Sequence, residues 1–424
     1  MKETPYWWDT APLFPDHSNR PIPAKVDVVV IGGGYTGLST ARSLAKNSAQ
    51  VIVLEKETIG WGASSRNGGQ VLTGLKVGVG GLIKKFGLER ARELYASSLA
   101  SIDFTEQLIA EEKIDCDYER SGHIEAACKP AHFDHFKHTA EILARDFNQS
   151  VQIVTRSDQR GELGTAAYHG LMIDARSGKV HPAKYVRGLA LAVERYGVEL
   201  HEKTPALKIE KEQSGFKITT PRGSIATKEV VVATNGYTDQ SAQKIRRRVF
   251  PVGSYIIATE PLRVDVAAKI LPRNRVVFDS KNFLYYFRLS ADNRLLFGGR
   301  AQFTPSTPNS TRTSAEILRR GMIEIFPELA DVQVDYVWSG NVCFTLDKFP
   351  RAGRRDGIYY ALGYGGHGVA MSTYLGAQLA AAISGQPSKN PFEKFSFPAI
   401  PLYEGRPWFL PFGAIYYKVM DMIS

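Results

Sequence analysis

With 424 residues, 43% of them hydrophobic and 23% charged, the chain is too long for one small core, and two or three domains are expected. Its 53 basic and 43 acidic residues leave a formal charge of +10, yet the basic residues are scattered. Arg246-Arg247-Arg248 is the one tight cluster, so nucleic acid is not an expected partner. Cys116, Cys128 and Cys343 are odd in number and lack CxxC spacing, which argues against a disulfide scaffold or a metal site and fits a reducing, cytoplasmic compartment.

Met1 to Lys25 carries Pro5, Pro12, Pro15, Pro21 and Pro23 and reads as an irregular arm against the body, without the apolar core of a secretory signal. The stretch that follows organises the chain. Val28-Val29-Val30-Ile31 suits a buried parallel strand, and Gly32, Gly34 and Gly37 fill a GxGxxG turn through Tyr35 and Thr36. The first glycine turns the chain, the second admits a pyrophosphate and the third lets helix and strand pack closely. A helix then opens, its positive end facing the phosphates. After the strand Val51 to Leu54 stand Glu55 and Lys56, the acid placed to accept from ribose hydroxyls. Ala63, Ser64, Ser65, Arg66, Asn67, Gly68, Gly69 and Gln70 form a loop of small and polar residues suited to a second segment of the same cofactor.

Helical spacing follows from Gly81 to about Ile114, a strand at Ser121 to Ala127, a helix from His132 to Phe147, and another from Pro182 to Glu194. Short strands return and end in Val230 to Ala233, followed by the turn Thr234-Asn235. Aromatic strands over Phe250 to Leu262, Phe283 to Leu289 and Arg294 to Gly298 suggest a second, antiparallel sheet, on which alternation puts Tyr286 and Arg288 opposite Tyr285 and Phe287. Ile358 to Leu362 leads into a second glycine turn, Gly363, Gly365, Gly366, His367 and Gly368, and a helix from Val369 to Ile383. The expected fold class is α/β with an α+β second domain: a Rossmann-like domain over 1–80, 160–235 and 345–400, interleaved with an antiparallel-sheet substrate domain over 81–159 and 236–344. An apolar tail occupies 401–424.

The loop from Gly62 to Gly69, the run Ser254 to Pro261, the run Leu295 to Arg300 and the turn Gly363 to Gly368 occur in an order that resembles the flavin-dependent amino acid oxidase superfamily. That superfamily includes D-amino acid oxidase, glycine oxidase and sarcosine oxidase, and the sequence looks most like its γ-glutamylputrescine oxidase-like branch. The resemblance implies FAD, with pyrophosphate at Gly32 to Gly37, ribose on Glu55, adenine against the Ala206 backbone, and the flavin ring near Ser64 to Gly69, Gly363 to Val369 and His367. Where sarcosine oxidase has its flavin-bonded cysteine, this chain aligns Gly340, with Cys343 three positions on, so FAD is expected to be non-covalent. The oxygen-activating lysine aligns with Leu296, and two substrate-carboxylate cations with Ala370 and about Leu72. Substrate and acceptor therefore stay open.

The resemblance implies oxidation of a carbon–nitrogen bond by hydride transfer to flavin, giving an imine. Candidates for the catalytic pocket are His367, Tyr255, Tyr286, Arg288, Arg300 and Trp338, where aromatic faces hold a cationic amine and an arginine pairs with a carboxylate or serves a structural salt bridge. The small-molecule partners are an amine or amino acid and either oxygen or quinone. The tail, with Pro407 to Phe412 and Ala414 to Ile423, is too short to span a bilayer. It reads as a helix docked on the body or as an interfacial anchor on the inner face of the membrane. The anchor reading goes with a quinone-linked dehydrogenase of proline or pipecolate. Alternatives from other classes are a flavin-binding partner subunit and a tRNA-modifying flavoprotein.

Overall fold

The computed structural model describes residues 1–299, 307–405, 407–413 and 415–416. One sheet is built on β-branched strands. Its order is Arg351–Arg355, Ile358–Leu362, Gly223–Val232, Lys25–Ile31, Val51–Leu54 and Glu199–His201, with Gly215–Thr220 and Lys208–Glu212 continuing as a hairpin from Gly223–Val232. From Ile358–Leu362 to Glu199–His201 the neighbours run parallel. Both faces are covered, which is why these strands read as continuous apolar runs rather than alternating ones. Val30, Val53 and Val231 face the helices Tyr35–Lys46, Pro182–Arg195 and Gly368–Ile383, while Val29, Ile52 and Val230 face a separate cluster with Phe216 and Ile218.

The helices Tyr35–Lys46 and Gly368–Ile383 lie against each other through small residues. Ser39 and Thr40 donate their hydroxyls to the carbonyls of Thr373 and Gly376. A Cβ at Gly376 would lie 2.5 Å from the Thr36 carbonyl oxygen, so the contact leaves no room for a side chain.

The second sheet is eight-stranded: Val334–Phe344, Phe250–Thr259, Leu295–Gly299, Tyr285–Leu289, Val276–Asp279, His123–Ala126, Gly170–Asp174 and Gln152–Thr155. All its pairs are antiparallel except Val276–Asp279 with His123–Ala126. One face buries Tyr255, Ile257, Phe287 and Phe297 against Leu318, Met322 and Phe326, the first two of these from the helix Pro308–Ile325. The opposite face turns toward the first sheet. The strand Gly170–Asp174 falls in the stretch expected to belong to the cofactor domain, yet it pairs with His123–Ala126 and Gln152–Thr155 in the second sheet.

Local chemistry moves several boundaries. The long helical stretch is two helices, Val79–Phe86 and Leu88–Glu111, broken at Gly87 with φ +77°. The next helix begins at Pro130 rather than His132, because proline suits a first turn that lacks N–H partners anyway. The N-terminal arm is not wholly irregular: Tyr6–Thr10 is a short helix with Tyr6 and Trp7 buried. At the other end Tyr403 and Leu410 are buried, Leu410 against Val252 and Phe344, while Trp408, Phe412, Ile415 and Tyr416 are exposed. Among the described residues no helix is long and apolar enough to cross a membrane.

Candidate active site

Three turns converge on one cleft of 610 Å³ between the sheets. The first is Gly32 to Gly37. Gly32 has φ +111°, and a Cβ at Gly37 would lie 2.0 Å from the Gly32 carbonyl oxygen, so this turn closes only with glycine. At Gly34 an added Cβ would meet Ser64 Oγ at 2.7 Å, and that oxygen accepts the Tyr35 N–H at 3.0 Å. The second turn is Thr234-Asn235, where Asn235 Oδ1 accepts the Gly363 N–H at 3.0 Å. The third runs from Gly363 to Gly368 and is tied to the first by Thr36 Oγ1 and the Tyr364 hydroxyl, 2.7 Å apart.

The helices Tyr35–Lys46 and Gly368–Ile383 therefore begin at the same cleft. Neither has a side-chain cap or an acidic residue in its first turn. Apart from the Tyr35 N–H, which Ser64 Oγ accepts, their first-turn N–H groups and positive dipole ends favour an electron-rich ligand.

Glu55 lines the cleft, its carboxylate accepting from the N–H groups of Gly33 at 2.7 Å and Glu57 at 2.9 Å. Burial pushes its carboxyl above the usual range, opposed by these hydrogen bonds. Gly32, Gly34, Tyr35, Thr36, Lys56, Ala63, Ser64, Arg66, Asn67, Gly68, Gln70, Ala206, Thr234 and Asn235 also line the cleft, as do Gly365 to Val369 including His367. Gly37, Ser65, Gly69 and Gly363 stand immediately behind. Ser65, for instance, donates to the Gly60 carbonyl at 2.7 Å. The cradle of glycines, the free helix ends and the acid one strand along fit a dinucleotide with a ring at the Gly365 end.

The loop from Gly60 to Gln70 is braced by the N-terminal helix, a role that sequence reasoning missed. Trp7 donates its indole N–H to the Asn67 carbonyl at 2.9 Å and Trp8 donates to Ser65 Oγ at 2.8 Å. The Arg66 guanidinium stacks over Trp61 and Trp8 at 4.4 and 4.8 Å and donates to the carbonyls of Trp61 and Ser339. The only advance signal was the aromatic run itself.

The pocket candidates separate. Tyr286 and His367 line the cleft with Ser254 and Leu72, joined by Phe278, Leu284 and Lys76, which sequence reasoning had not singled out. Tyr286 packs over Gly68, where an added Cβ would lie 3.0 Å from its ring, and its hydroxyl is 2.9 Å from Ser254 Oγ. Tyr255, Arg288 and Trp338 do not reach the cleft. Tyr255 points into the opposite core and donates to Ser310 Oγ at 2.9 Å. Arg288 is buried beneath Trp7, its donors used by the carbonyls of Gly69, Val180 and Leu289. Burial without a carboxylate partner brings it down to about 10. Trp338 donates its indole N–H to the Arg66 carbonyl at 2.9 Å. These two brace the loop from behind. Arg300 lies outside the described residues.

Residues 27–382 match the family described as FAD dependent oxidoreductase (DAO), and the chain belongs to that family. It is thus an FAD-dependent oxidoreductase, of a class that acts on amines and amino acids. It is 36% identical over 405 residues to the probable oxidoreductase OrdL of Haemophilus influenzae, covering 93% of this chain and 92% of that one. It is 33% identical over 404 residues to the γ-glutamylputrescine oxidoreductase of Escherichia coli, covering 94% and 93%. The crystal structure of glycine oxidase from Geobacillus kaustophilus shares the fold, with a TM-score of 0.75 at 23% identity over 90% of this chain and 100% of that one.

Proposed function

We propose that the chain oxidises the carbon–nitrogen bond of an amine or amino acid, transferring a hydride to non-covalently held FAD and releasing an imine. The observation that carries this reading is the meeting of two uncapped helix N-termini on one cleft whose remaining wall is aromatic. The turn from Gly32 to Gly37 would receive the pyrophosphate, Glu55 the adenosine ribose and the Ala206 backbone the adenine. FAD, when bound, supplies the two-electron acceptor. The Gly365 and His367 N–H groups are spent on the carbonyls of Cys343 and Tyr364, so the Gly366 and Gly368 N–H groups and the helix behind them would stabilise negative charge at the ring edge. Tyr286 and Phe278 would exclude water and position the amine in the cleft, and His367 borders the same space. No strong base is needed for hydride loss from a neutral amine, so orientation and desolvation are the chain's main work.

Non-covalent binding is supported by Gly340, which borders the cleft without a nucleophile, and by Cys343, whose thiol burial pushes up to about 12. A thiol so poorly ionised is a weak attacking group.

A second reading, a peripheral-membrane dehydrogenase passing electrons from a cyclic imino acid such as L-pipecolate or proline to quinone, draws support from the tail. Trp408, Phe412 and Ile415 are exposed there. Leu296, buried with Trp7, Trp338 and Ile256, adds support by offering no cation to activate oxygen.

Anaerobic titration of the holoprotein with γ-glutamylputrescine, sarcosine, glycine, and both enantiomers of proline and pipecolate decides between them. Bleaching of the flavin band by one compound is expected, and reoxidation by air or by a soluble quinone then names the acceptor. A flavin that no amine reduces would instead indicate a partner subunit without turnover.

A further inference from the structure

Of the triplet Arg246-Arg247-Arg248, Arg246 alone borders the cleft. Its neighbours point elsewhere: Arg248 donates to the Phe397 carbonyl at 2.8 Å, and Lys244 pairs with Asp356 at 2.9 Å. The Arg246 guanidinium has no carboxylate or carbonyl partner among the described residues. It is held in place by backbone instead. A Cβ added at Gly405 would lie 2.0 Å from Nη2 and 2.1 Å from Cζ, and Gly405 has φ +101°. The C-terminal segment thus crosses the guanidinium at a distance that only glycine allows.

Tyr403, two residues earlier, also lines the cleft and is 1% exposed. Its hydroxyl has no hydrogen-bond partner among the described residues either. Burial pushes the phenol up to about 12, against the opposing pull of the Arg246 charge, so the hydroxyl stays a donor. The other walls of this corner are apolar: Val249, Pro251 and Phe344. Phe344 stands beside the third turn, where a Cβ at Gly365 would be 3.5 Å from its ring. The corner is separate from the aromatic wall at Tyr286. Ser254, which meets the Tyr286 hydroxyl, and Pro251 share one strand, three residues and so about 10 Å apart.

We propose that this corner binds a quinone as electron acceptor, Arg246 and the Tyr403 hydroxyl donating to one carbonyl oxygen while Val249, Pro251 and Phe344 pack on the ring. The inference rests on the quinone-linked reading and gives it a site. One cation and one neutral donor between apolar walls are too few for a phosphate ester. They suit a flat, uncharged ring whose oxygen becomes anionic on reduction. The quinone takes a hydride, two electrons with one proton, from the reduced flavin and a second proton from water, and leaves as quinol. From Tyr403 an aromatic path runs through Phe409, ring centroids 5.9 Å apart, to Trp408, 5.7 Å further. Trp408 and Phe412 are exposed, so the path offers an isoprenoid tail an apolar way out.

The test titrates the oxidised holoprotein calorimetrically with a ubiquinone carrying one isoprene unit. It then follows reoxidation by the same quinone after the flavin has been reduced with light and EDTA, which requires no amine. Arg246→Met should raise Kd and slow reoxidation about 10-fold, the loss of one charge-assisted hydrogen bond, and Tyr403→Phe about 3-fold. Flavin content should be unchanged in both, and ferricenium, which needs no hydrogen bond, should reoxidise all three proteins alike. Tyr403→Phe removes a single oxygen and carries the test if Arg246→Met fails to fold. Equal quinone affinity and rate in wild type and variants would overturn this inference alone. So would flavin lost from Arg246→Met, which would assign the guanidinium to the cofactor. A wild type that neither binds the quinone nor is reoxidised by it would overturn the quinone-linked reading as well, with amine oxidation untouched.

Discussion

Substituting valine for Gly37 leaves less than about a tenth of the wild-type flavin bound after gel filtration, an affinity loss exceeding about 1.4 kcal/mol, and destabilises the fold by about 3 kcal/mol. The position has no slack. An added Cβ would overlap the Gly32 carbonyl oxygen at 2.0 Å and press on Val30 Cγ1 at 3.1 Å, and both belong to backbone or core that cannot swing aside. The turn must open, and the first helix end moves off the cleft with it. A control separates this from a general intolerance of glycine replacement. At Gly80, in the helix Val79–Phe86, an added Cβ meets nothing within 4 Å. Gly80→Ala should keep its flavin and gain about 0.5–1 kcal/mol from helix propensity. Flavin retained at wild-type level in Gly37→Val would remove the turn from the cofactor site.

The second large effect is expected far from the cleft surface. Trp7→Ala should cost about 3–5 kcal/mol in denaturant unfolding, the usual range for deleting a buried tryptophan, and should weaken flavin binding as well. Trp7 is 1% exposed. It packs edge-on against His181 and Trp338 with ring centroids 4.8 and 6.5 Å away, and covers the Arg288 guanidinium at 5.5 Å. Its indole N–H is spent on the Asn67 carbonyl, in the loop that borders the cleft from Ala63 to Gln70. Removing the ring therefore opens a cavity and frees that loop together. Trp7→Phe keeps most of the packing and loses the hydrogen bond, so its cost should fall to about 1 kcal/mol. If Trp7→Ala lowered stability without changing flavin affinity, the brace and the cofactor loop would be uncoupled.

These two residues also mark how far the sequence alone carries. The turn around Gly37 is legible because its requirement is local: strand, glycine spacing, helix and acid lie within one βαβ stretch. The second turn at Gly365 is legible for the same reason. What covers a sheet face is not local. Alternation correctly sets Tyr286 apart from Tyr285 and Phe287, but it cannot tell that Arg288, on the same face as Tyr286, lies beneath Trp7 and behind the loop that borders the cleft. Tyr255 and Trp338 are adjacent strands' residues whose faces depend on the register Ile256 to Trp338, which no motif announces. Lys76, which lines the cleft, carries no signal at all in sequence, since a single lysine in a loop becomes informative only when the fold brings strands and turns together. The proline-rich arm conceals a five-residue helix because its stability comes from tertiary burial of Tyr6 and Trp7 rather than from propensity.

The central claim is that this cleft holds one dissociable FAD between two helix ends, with no covalent bond from the chain. Acid precipitation of the purified protein tests it most directly. The account predicts a colourless pellet and a yellow supernatant containing about one FAD per chain. Flavin remaining with the precipitated chain, or a supernatant holding a different nucleotide in its place, would contradict it.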